Sequence, residues 1–442
     1  MNADIKPLKT PAEQALAAHF EAARVHLPGG TEARRLRESA FSSFVETGLP
    51  HRRIEEWKYT DLRTLLRGAP PLADAPNAAV IATAKRSDPF PGAKLRRLTL
   101  INGVFAPELS DLSDLENKLT IIPLGKALVE KHPLAARVGA LKTEASDPAL
   151  ALNTAFLNDG VLIELGEGAA LDRPILVRNI FVGDQPAMTF ARSLFVVGKG
   201  ANATLIESFE GPDGVAYQAN SALELHVGDK ANVALLRLQA DGSAAIHLSA
   251  LLGEIGGGAE LEIGGLTLGA AISRYSSYLS LKGEHTNLRL SGANLLRGKQ
   301  HGDTTLILDH AVPNCTSREL FKTVLDETAR GIVQGRINVH PDAQKTDARM
   351  SLGALLLSEN AEADLKPELE IFADDVQCAH GATSGALDEQ LLFYLLARGI
   401  PRKEAEALLV QAFFGAALDQ ISREDVREAL IARAVAWLKA RE

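Results

Sequence analysis

The chain has 442 residues, of which 46% are hydrophobic, 23% charged and 5% aromatic, and its formal net charge is −9. This composition is typical of a globular protein rather than a disordered one, and the length favours two or three structural regions. The negative charge argues against a large surface for nucleic acid or anionic membrane. No stretch resembles a signal peptide, and none approaches the roughly 18 apolar residues of a membrane span, so we expect a cytoplasmic protein.

The first 157 residues predict a mostly helical region. The segment from Thr10 to Glu13 combines an N-cap, a proline at the first helical position and a capping-box acid, which predicts a helix to about His26. A second helix is predicted from about Thr31 to Glu46. The segment EEWKYTDL that follows indicates an amphipathic turn anchored by Trp57. A proline-rich stretch near residues 68–92 predicts a loop or linker.

Two further patterns precede the middle of the chain. Residues 98–105 (LTLINGVF) predict a strand with a turn at Asn102 and Gly103, because Asn-Gly is a frequent hairpin turn. From about Leu124 to Leu157 the pattern is again helical.

A weak internal repeat begins near residue 160. A turn motif with a small residue at its fourth position recurs, and its first glycines are Gly166, Gly198, Gly228, Gly256 and Gly283. These glycines are 32, 30, 28 and 27 residues apart, and alternating apolar residues flank most copies. Each copy therefore predicts a short strand, a turn and a second short strand.

Repeats of this length favour a β-solenoid, in which stacked turns of the chain bury a core that no single turn could bury. An antiparallel sandwich also has short alternating strands, but the nearly constant period favours the solenoid. Residues 327–329 and 360–362 are interpreted as two degenerate later copies. We assign residues 158–385 to this core.

The stretch from Lys366 to Gly399 connects the strand-rich part to a helical one. Apolar residues at alternate positions predict a strand that Asp374 and Asp375 interrupt, and Cys378 and His380 follow in a predicted loop. Asp388 then has the character of an N-cap and Gly399 that of a helix stop.

Cys378 and His380 are the candidate metal ligands. A thiol and an imidazole two residues apart could bind one metal ion from one side. A lone Cys-x-His pair is, however, more often a packed thiol beside a hydrogen-bonded imidazole. The other cysteine, Cys315, is interpreted first as a packing residue. With two cysteines and no Cys-x-x-Cys, a structural disulfide is not expected.

Residues 386–442 predict a carboxy-terminal helical region. One helix starts near Pro401, with Ala405, Leu408, Leu409, Ala412 and Phe413 at helical spacing. A last helix starts at residues 422–425. Its predicted inward residues are Val426, Leu430, Ala434 and Leu438. These helices either close the end of the solenoid or present a groove to a partner helix.

Several segments closely resemble the SufB/SufD family, whose members are scaffold subunits of the Suf machine for iron–sulfur cluster assembly. The resemblance is densest from about Asp309 to Phe414. Its clearest segments are Leu369–Ile371, Asp374–Val376, Cys378-x-His380-Gly381-Ala382-Thr383, Phe393–Leu395 and Arg398–Ile400. The EEWKYTDL segment and the DDVxCxHGATxG form resemble SufD more than SufB.

The resemblance implies the fold, the partners and the site. It implies a right-handed parallel β-helix core with helical regions on both sides, and a non-catalytic scaffold subunit. The implied partners are a SufB-like subunit and a SufC-like ATPase that docks on the carboxy-terminal helices, and a homodimer is expected in isolation. Candidate partner-binding residues are Phe393, Tyr394, Leu408, Leu409 and Phe413.

The resemblance also implies that the chain helps to deliver iron to a nascent cluster. Two thiols cannot supply the four ligands of a typical iron–sulfur cluster, so any cluster is expected to be shared at a subunit interface. We expect His380, ahead of Cys378, to handle the metal, because a neutral imidazole suits ferrous iron. The chain has no phosphate-loop motif, so nucleotide hydrolysis is expected from a partner.

Two other functions are compatible with a solenoid. One is a polysaccharide-active β-helix enzyme, although the sequence shows no obvious paired carboxylates at the period of the repeat. The other is a purely structural adaptor, in which Cys378 and His380 would be dispensable.

Overall fold

The computed structural model describes residues 9–84 and 88–441. Its helices are α1 (Pro11–Ala23), α2 (Thr31–Thr47), α3 (Leu62–Leu65), α4 (Ala78–Ala84), α5 (Leu124–Glu130), α6 (Pro148–Ala155), α7 (Glu389–Leu396), α8 (Arg402–Leu418) and α9 (Glu424–Lys439). Short 3₁₀ helices lie at Glu55–Trp57, Pro107–Leu109 and Pro133–Arg137.

The strands fall into three groups along the chain. The first group is β1 (Arg96–Ile101), β2 (Val104–Phe105), β3 (Leu119–Pro123), β4 (Val161–Leu165), β5 (Ile175–Ile180) and β6 (Met188–Val197). The second is β7 (Asn202–Glu210), β8 (Gln218–Val227), β9 (Asn232–Ala240), β10 (Ile246–Ile255), β11 (Glu260–Thr267), β12 (Ile272–Leu281) and β13 (Asn287–Leu296). The third is β14 (His301–His310), β15 (Thr316–Leu325), β16 (Arg330–Val339), β17 (Asp347–Leu356), β18 (Glu362–Ile371) and β19 (Gln377–Gly385).

These strands form a parallel β-solenoid of about eight turns, which confirms the predicted fold class. From β4 onward, successive strands alternate between two sheets, so each strand pairs in parallel with the strand two places further along the chain. Side chains of a strand alternate between its two faces. The inward ones fill the space between the sheets, which we call the lumen, with a continuous apolar core.

The turns of the repeat explain its sequence pattern. In the turn between β8 and β9, Lys230 has a left-handed backbone with φ of 58°, and its equivalent in the next turn of this type is Gly258 with φ of 64°. The residue that follows is small and faces the core: Ala231 is 1% exposed and Ala259 is 0% exposed. The repeated sequence motif therefore corresponds to a residue with left-handed backbone followed by a buried alanine.

The amino-terminal region is less purely helical than predicted. The Asn102-Gly103 turn joins β1 to β2 as expected, with φ of 54° and 80° at its two residues. However, β1 pairs in parallel with β5, and β3 pairs with β4, so both sheets begin before residue 158. The predicted linker contains helix α4, and its residues 85–87 lie outside the described residues.

The carboxy-terminal helices lie along the flank of the ten-stranded sheet, so the interpretation that they close the end of the solenoid is wrong. The buried residues of α8 are Ala405, Val410, Phe414, Ala417 and Leu418, and three of them, Val410, Phe414 and Leu418, share an apolar cluster with the sheet. All four predicted inward residues of α9 are buried, as expected. They pack on outward side chains of β9, β11 and β13, among them Leu236, Leu266 and Leu295. No helix within the described residues is long and apolar enough to cross a membrane.

Candidate metal site at the open end of the solenoid

The last coil of the solenoid, formed by β18 and β19, is more exposed than the coils before it. Within the part of the chain that the structure describes, each of these strands is the last in its sheet. The inward residue Val339 on β16 is 0% exposed, whereas its neighbour Ile371 on β18 is 40% exposed. A sheet with a free edge and an uncovered core can be covered by another protein chain.

Cys378 and His380 lie in strand β19, so the prediction that they occupy a loop is wrong. They pair in parallel with Ala348 and Met350 of β17, respectively. Both partners are buried lumen residues. Because alternate residues of a strand share a face, Cys378 and His380 both belong to the lumen side of the last coil. The structure thus brings the two predicted ligands onto one face, as the metal hypothesis requires.

The surroundings of Cys378 disfavour its thiolate form. The side chain is partly buried against the apolar core. Burial raises the pKa of the Cys378 thiol above its ordinary value, and the carboxylate of Asp347 raises this pKa further. Since the thiolate is the form that binds metal and acts as a nucleophile, the isolated chain holds Cys378 mainly as a thiol at neutral pH. His380 is exposed at the mouth of the lumen.

The described residues do not complete a metal site by themselves. No group of three or more His, Cys, Asp or Glu side chains comes together within residues 9–84 and 88–441 in a way that could hold a metal ion. Cys378 and His380 could therefore supply two ligands at most. The remaining ligands of a metal ion bound here would have to come from elsewhere.

Glu319 is a lumen residue that the sequence analysis missed. It lies in β15 beside Met350 of β17, which in turn lies beside His380 of β19. The Glu319 side chain is buried, and within residues 9–84 and 88–441 neither of its carboxylate oxygens has a hydrogen-bond partner. Desolvation raises the pKa of Glu319 to about 8. Its inward position could have been deduced from Phe321, a core residue two places further along the strand.

His310 of β14 is also buried. The ring is 0% exposed, and its Nε2 atom lies 3.0 Å from the hydroxyl oxygen of Ser317. Its Nδ1 atom has no hydrogen-bond partner in the described part of the chain. Burial lowers the pKa of His310 to about 4, so the ring is neutral at physiological pH. The coil that contains Glu319, formed by β14 and β15, thus holds a second uncharged titratable group.

Cys315 lies away from the mouth of the lumen. It is 0% exposed, and its thiol donates a hydrogen bond to the backbone oxygen of Gly283 at 3.3 Å. Both cysteines are free thiols. Burial raises the pKa of Cys315 as well. These surroundings agree with the packing role expected from the sequence.

The predicted partner-binding residues divide into two groups. Phe393 and Tyr394 are 71% and 52% exposed, and Leu408 is 43% exposed. Leu409 and Phe413 are half-buried, and the Phe413 ring centroid lies 4.9 Å from Lys322 Nζ on β15. Together with Leu391, which is 52% exposed, Phe393, Tyr394 and Leu408 form what we call the helical patch. Phe413 contributes to packing on the sheet instead.

The EEWKYTDL segment has a structural role. Trp57 is 1% exposed, and the guanidinium of Arg274 lies 3.8 Å from the centroid of its ring. Thr60 is fully buried and hydrogen-bonds to both His301 and Asp303 of β14. The segment therefore attaches the amino-terminal helices to the outer face of the nine-stranded sheet, which confirms the anchoring turn.

Comparison with known proteins identifies the family. Residues 180–413 match the family model of the SUF system FeS cluster assembly, SufBD core domain. Residues 12–177 match the model of the SufBD protein N-terminal region. The chain belongs to the SufBD family.

Individual relatives agree with this assignment. An iron–sulfur cluster assembly SufBD family protein of Synechocystis is 32% identical over 87% of this chain and 86% of its own length. The iron–sulfur cluster assembly protein SufD of Escherichia coli is 27% identical over 91% of this chain and 93% of its own length. SufD of Bacillus subtilis is 25% identical over 64% of each chain. The chain is thus a homologue of SufD proteins.

Proposed function

We propose that this chain is a SufD-like, non-catalytic subunit of a Suf scaffold complex. In this proposal it pairs with a SufB-like subunit, binds a SufC-like ATPase and helps to deliver iron to a cluster at the shared interface. Its membership in the SufBD family and its homology to SufD over most of both chains support the assembly role. The cytoplasmic setting remains a prediction of the sequence.

The observation that carries the pairing proposal is the open last coil. Strands β18 and β19 leave a free edge on each sheet and expose inward side chains that every earlier coil buries. A partner that continues the two sheets would pair these edges and cover the lumen. A SufB-like chain of the same architecture has the shape for this, and a second copy of this chain would use the same surface in isolation.

The metal proposal assigns the main role to His380. An exposed imidazole at the mouth of the lumen has a ring nitrogen available to coordinate ferrous iron. The thiol of Cys378 must first be deprotonated, and its raised pKa opposes that step. Since the described residues supply at most two ligands here, the partner chain would supply the others. Iron is the cargo of this site, and the cluster is its product.

The ATPase proposal assigns docking to the helical patch. Its residues lie on α7 and on the start of α8, outside the surface that α8 buries against the sheet. Exposed aromatic and leucine side chains that are clustered on a helix pair are typical of a docking surface for a partner helix. ATP hydrolysis would then belong entirely to the partner.

The test is cluster assembly in the co-expressed three-subunit complex. His380→Ala removes one ligand without disturbing the core, so we expect an intact complex with an unchanged melting temperature but sharply lower iron content and cluster yield. Cys378→Ser should lower the yield less. Gln377→Ala, an exposed change on the same strand, is the matched control and should have no effect.

Two outcomes would contradict this assignment. If His380→Ala prevents the subunits from copurifying, His380 is an interface contact rather than a metal ligand. If His380→Ala and Cys378→Ser both leave cluster yield at the level of Gln377→Ala, the chain is a structural adaptor. A polysaccharide-active enzyme is disfavoured by the family assignment.

A further inference from the structure

A column of inward side chains runs from the mouth of the lumen into the solenoid. His380, Met350, Glu319 and Leu290 occupy the same register position in β19, β17, β15 and β13. Neighbouring strands of a sheet are about 5 Å apart, so the Glu319 backbone lies roughly 10 Å inside that of His380. Going outward from Leu290, the first polar residue of the column is Glu319, which lies two strands from the free edge of its sheet.

Glu319 is the unusual member of this column. Its side chain is 97% buried, since its residue is 3% exposed, and neither carboxylate oxygen has a hydrogen-bond partner among the residues that the structure describes. Nearly all buried polar groups in proteins have a partner, and an isolated buried carboxyl group is costly. A carboxyl group of this kind therefore suggests a ligand that the described part of the chain does not supply.

The opposite wall of the lumen keeps space for this group. Gly335 of β16 faces the column, and a Cβ atom there would overlap the thioether of Met350 and lie 3.7 Å from Glu319 Oε2. Any larger residue at position 335 would push the Met350 thioether away from the carboxyl group. The glycine thus allows the sulfur and the carboxyl oxygen to occupy the same part of the lumen.

We propose that Glu319 and Met350 form an inner binding position for one divalent transition-metal ion, which enters the lumen past His380. A carboxylate and a thioether suit a first-row divalent transition-metal ion such as ferrous iron better than Mg²⁺ or Ca²⁺, which prefer all-oxygen ligands. Met350 has three flexible side-chain bonds, so its sulfur can adjust to an ion. The carboxyl group must release its proton when the ion binds.

This inference deepens the proposed iron-delivery function, because it gives the same cargo a second binding position. It would make the last two coils a short entry path rather than a single site at the surface. The path ends at Glu319, because the next residue of the column, Leu290, belongs to the apolar core.

The experiment is a titration of the isolated full-length chain with Co²⁺, which replaces ferrous iron and reports its ligands through its visible absorption. We expect one ion per chain, and we expect Glu319→Gln to weaken binding at least tenfold. Met350→Leu keeps the side-chain volume but removes the sulfur, and should weaken binding less. Glu359→Gln, an exposed carboxylate in a turn, is the matched control and should leave affinity unchanged.

Binding that is as tight in Glu319→Gln as in the parent chain would overturn the inference. If Glu319→Gln fails to fold by circular dichroism, Glu319→Asp provides the same test, because it withdraws the carboxylate by one methylene and should also weaken binding.

The outcome is separable from the proposed function. A loss of cluster yield in His380→Ala with unchanged Co²⁺ affinity in Glu319→Gln would refute the inner position alone. Weakened Co²⁺ binding in Glu319→Gln with full cluster yield in His380→Ala would refute only the role of His380.

Discussion

Replacing Glu319 with glutamine should stabilise the metal-free chain at neutral pH. Burial raises the pKa of Glu319 from 4.5 to about 8, so the folded chain keeps a proton that the unfolded chain loses above pH 4.5. The free energy of unfolding then falls as pH rises from 4.5 to 8, by about 1.4 kcal/mol per pH unit. The loss at pH 7 is about 3 kcal/mol, and it stops growing above pH 8, where the folded chain ionises too.

Glutamine has nearly the same shape as glutamate and does not ionise in the folded or the unfolded chain. The free energy of unfolding of the variant should therefore not fall between pH 4.5 and 8. For a chain of this length, 1 kcal/mol corresponds to about 1 °C in melting temperature. Calorimetry in the presence of a chelator should therefore place Glu319→Gln roughly 3 °C above the parent chain at pH 7. The two melting temperatures should converge near pH 5.

Glu224 offers a control of opposite sign. It is 0% exposed, but its carboxylate accepts hydrogen bonds from Arg192 Nε at 2.9 Å and from the backbone N–H of Gly139 at 2.7 Å. Glu224→Gln leaves the buried Arg192 without its counter-charge and should destabilise the chain by about 3 kcal/mol at pH 7.

Two results would show that Glu319 has a partner in solution. One is a melting temperature of Glu319→Gln below that of the parent chain at pH 7. The other is a difference between the two melting temperatures that does not vary between pH 5 and 8.

The remaining predictions concern the two partner surfaces. The backbone N–H of Gln377 donates to the backbone oxygen of Thr346, the residue just before β17, so the N–H of Ala382 points to the free edge of β19. Ala382→Pro should therefore abolish copurification with a SufB-like subunit while the chain keeps its melting temperature, and unimpaired copurification would show that this edge is not used. Phe393→Ser combined with Tyr394→Ser should abolish binding of the SufC-like ATPase but not of the SufB-like subunit. The control is Val25→Ser, which changes an apolar residue that is 71% exposed and lies outside the helical patch. Amide exchange of residues 377–385 should slow when the SufB-like subunit binds; unchanged exchange would place the interface elsewhere.

The structure also changes how the ATPase surface can be tested. A truncation from Pro401 onward looks from sequence like the removal of a separate docking element. In the fold, α8 and α9 bury residues such as Phe414, Leu418 and Leu430 on the sheet. Removing them would expose a large apolar face of the solenoid, so point changes in the helical patch are the informative variants.

The repeating part of the fold could be predicted from the sequence because each turn of a solenoid repeats the same local requirements. A left-handed turn position and a buried small residue recur at nearly constant spacing, as at Lys230 and Ala231. The two terminal helices α1 and α9 could also be predicted, because their caps and apolar faces are local. The capping box at Thr10 is present in the structure.

The last coil was harder to predict for a physical reason. Strand β19 has the sequence QCAHGATSG, and it lacks the large inward apolar residues that mark earlier strands. Its strand conformation is imposed by pairing with β17, which sequence periodicity does not show. Glu319 was missed for a related reason. A charged residue between Arg318 and Leu320 is expected to face solvent unless it is known which alternate residues of the strand face the lumen.

The position of His380 and Cys378 in the last coil follows from the energetics of a solenoid. The stability of a stacked repeat is approximately a sum over its turns and the interfaces between neighbouring turns. An interior turn has two such interfaces, and a polar residue there weakens both, whereas the last turn has only one to lose. His380 and Cys378 therefore lie where departures from an apolar lumen cost least. The same open face lacks its second interface, and a partner chain that supplies it would bring its own ligands within reach of His380. The incomplete core and the incomplete ligand set therefore both result from the uncovered last coil, and the binding of one partner chain would complete both.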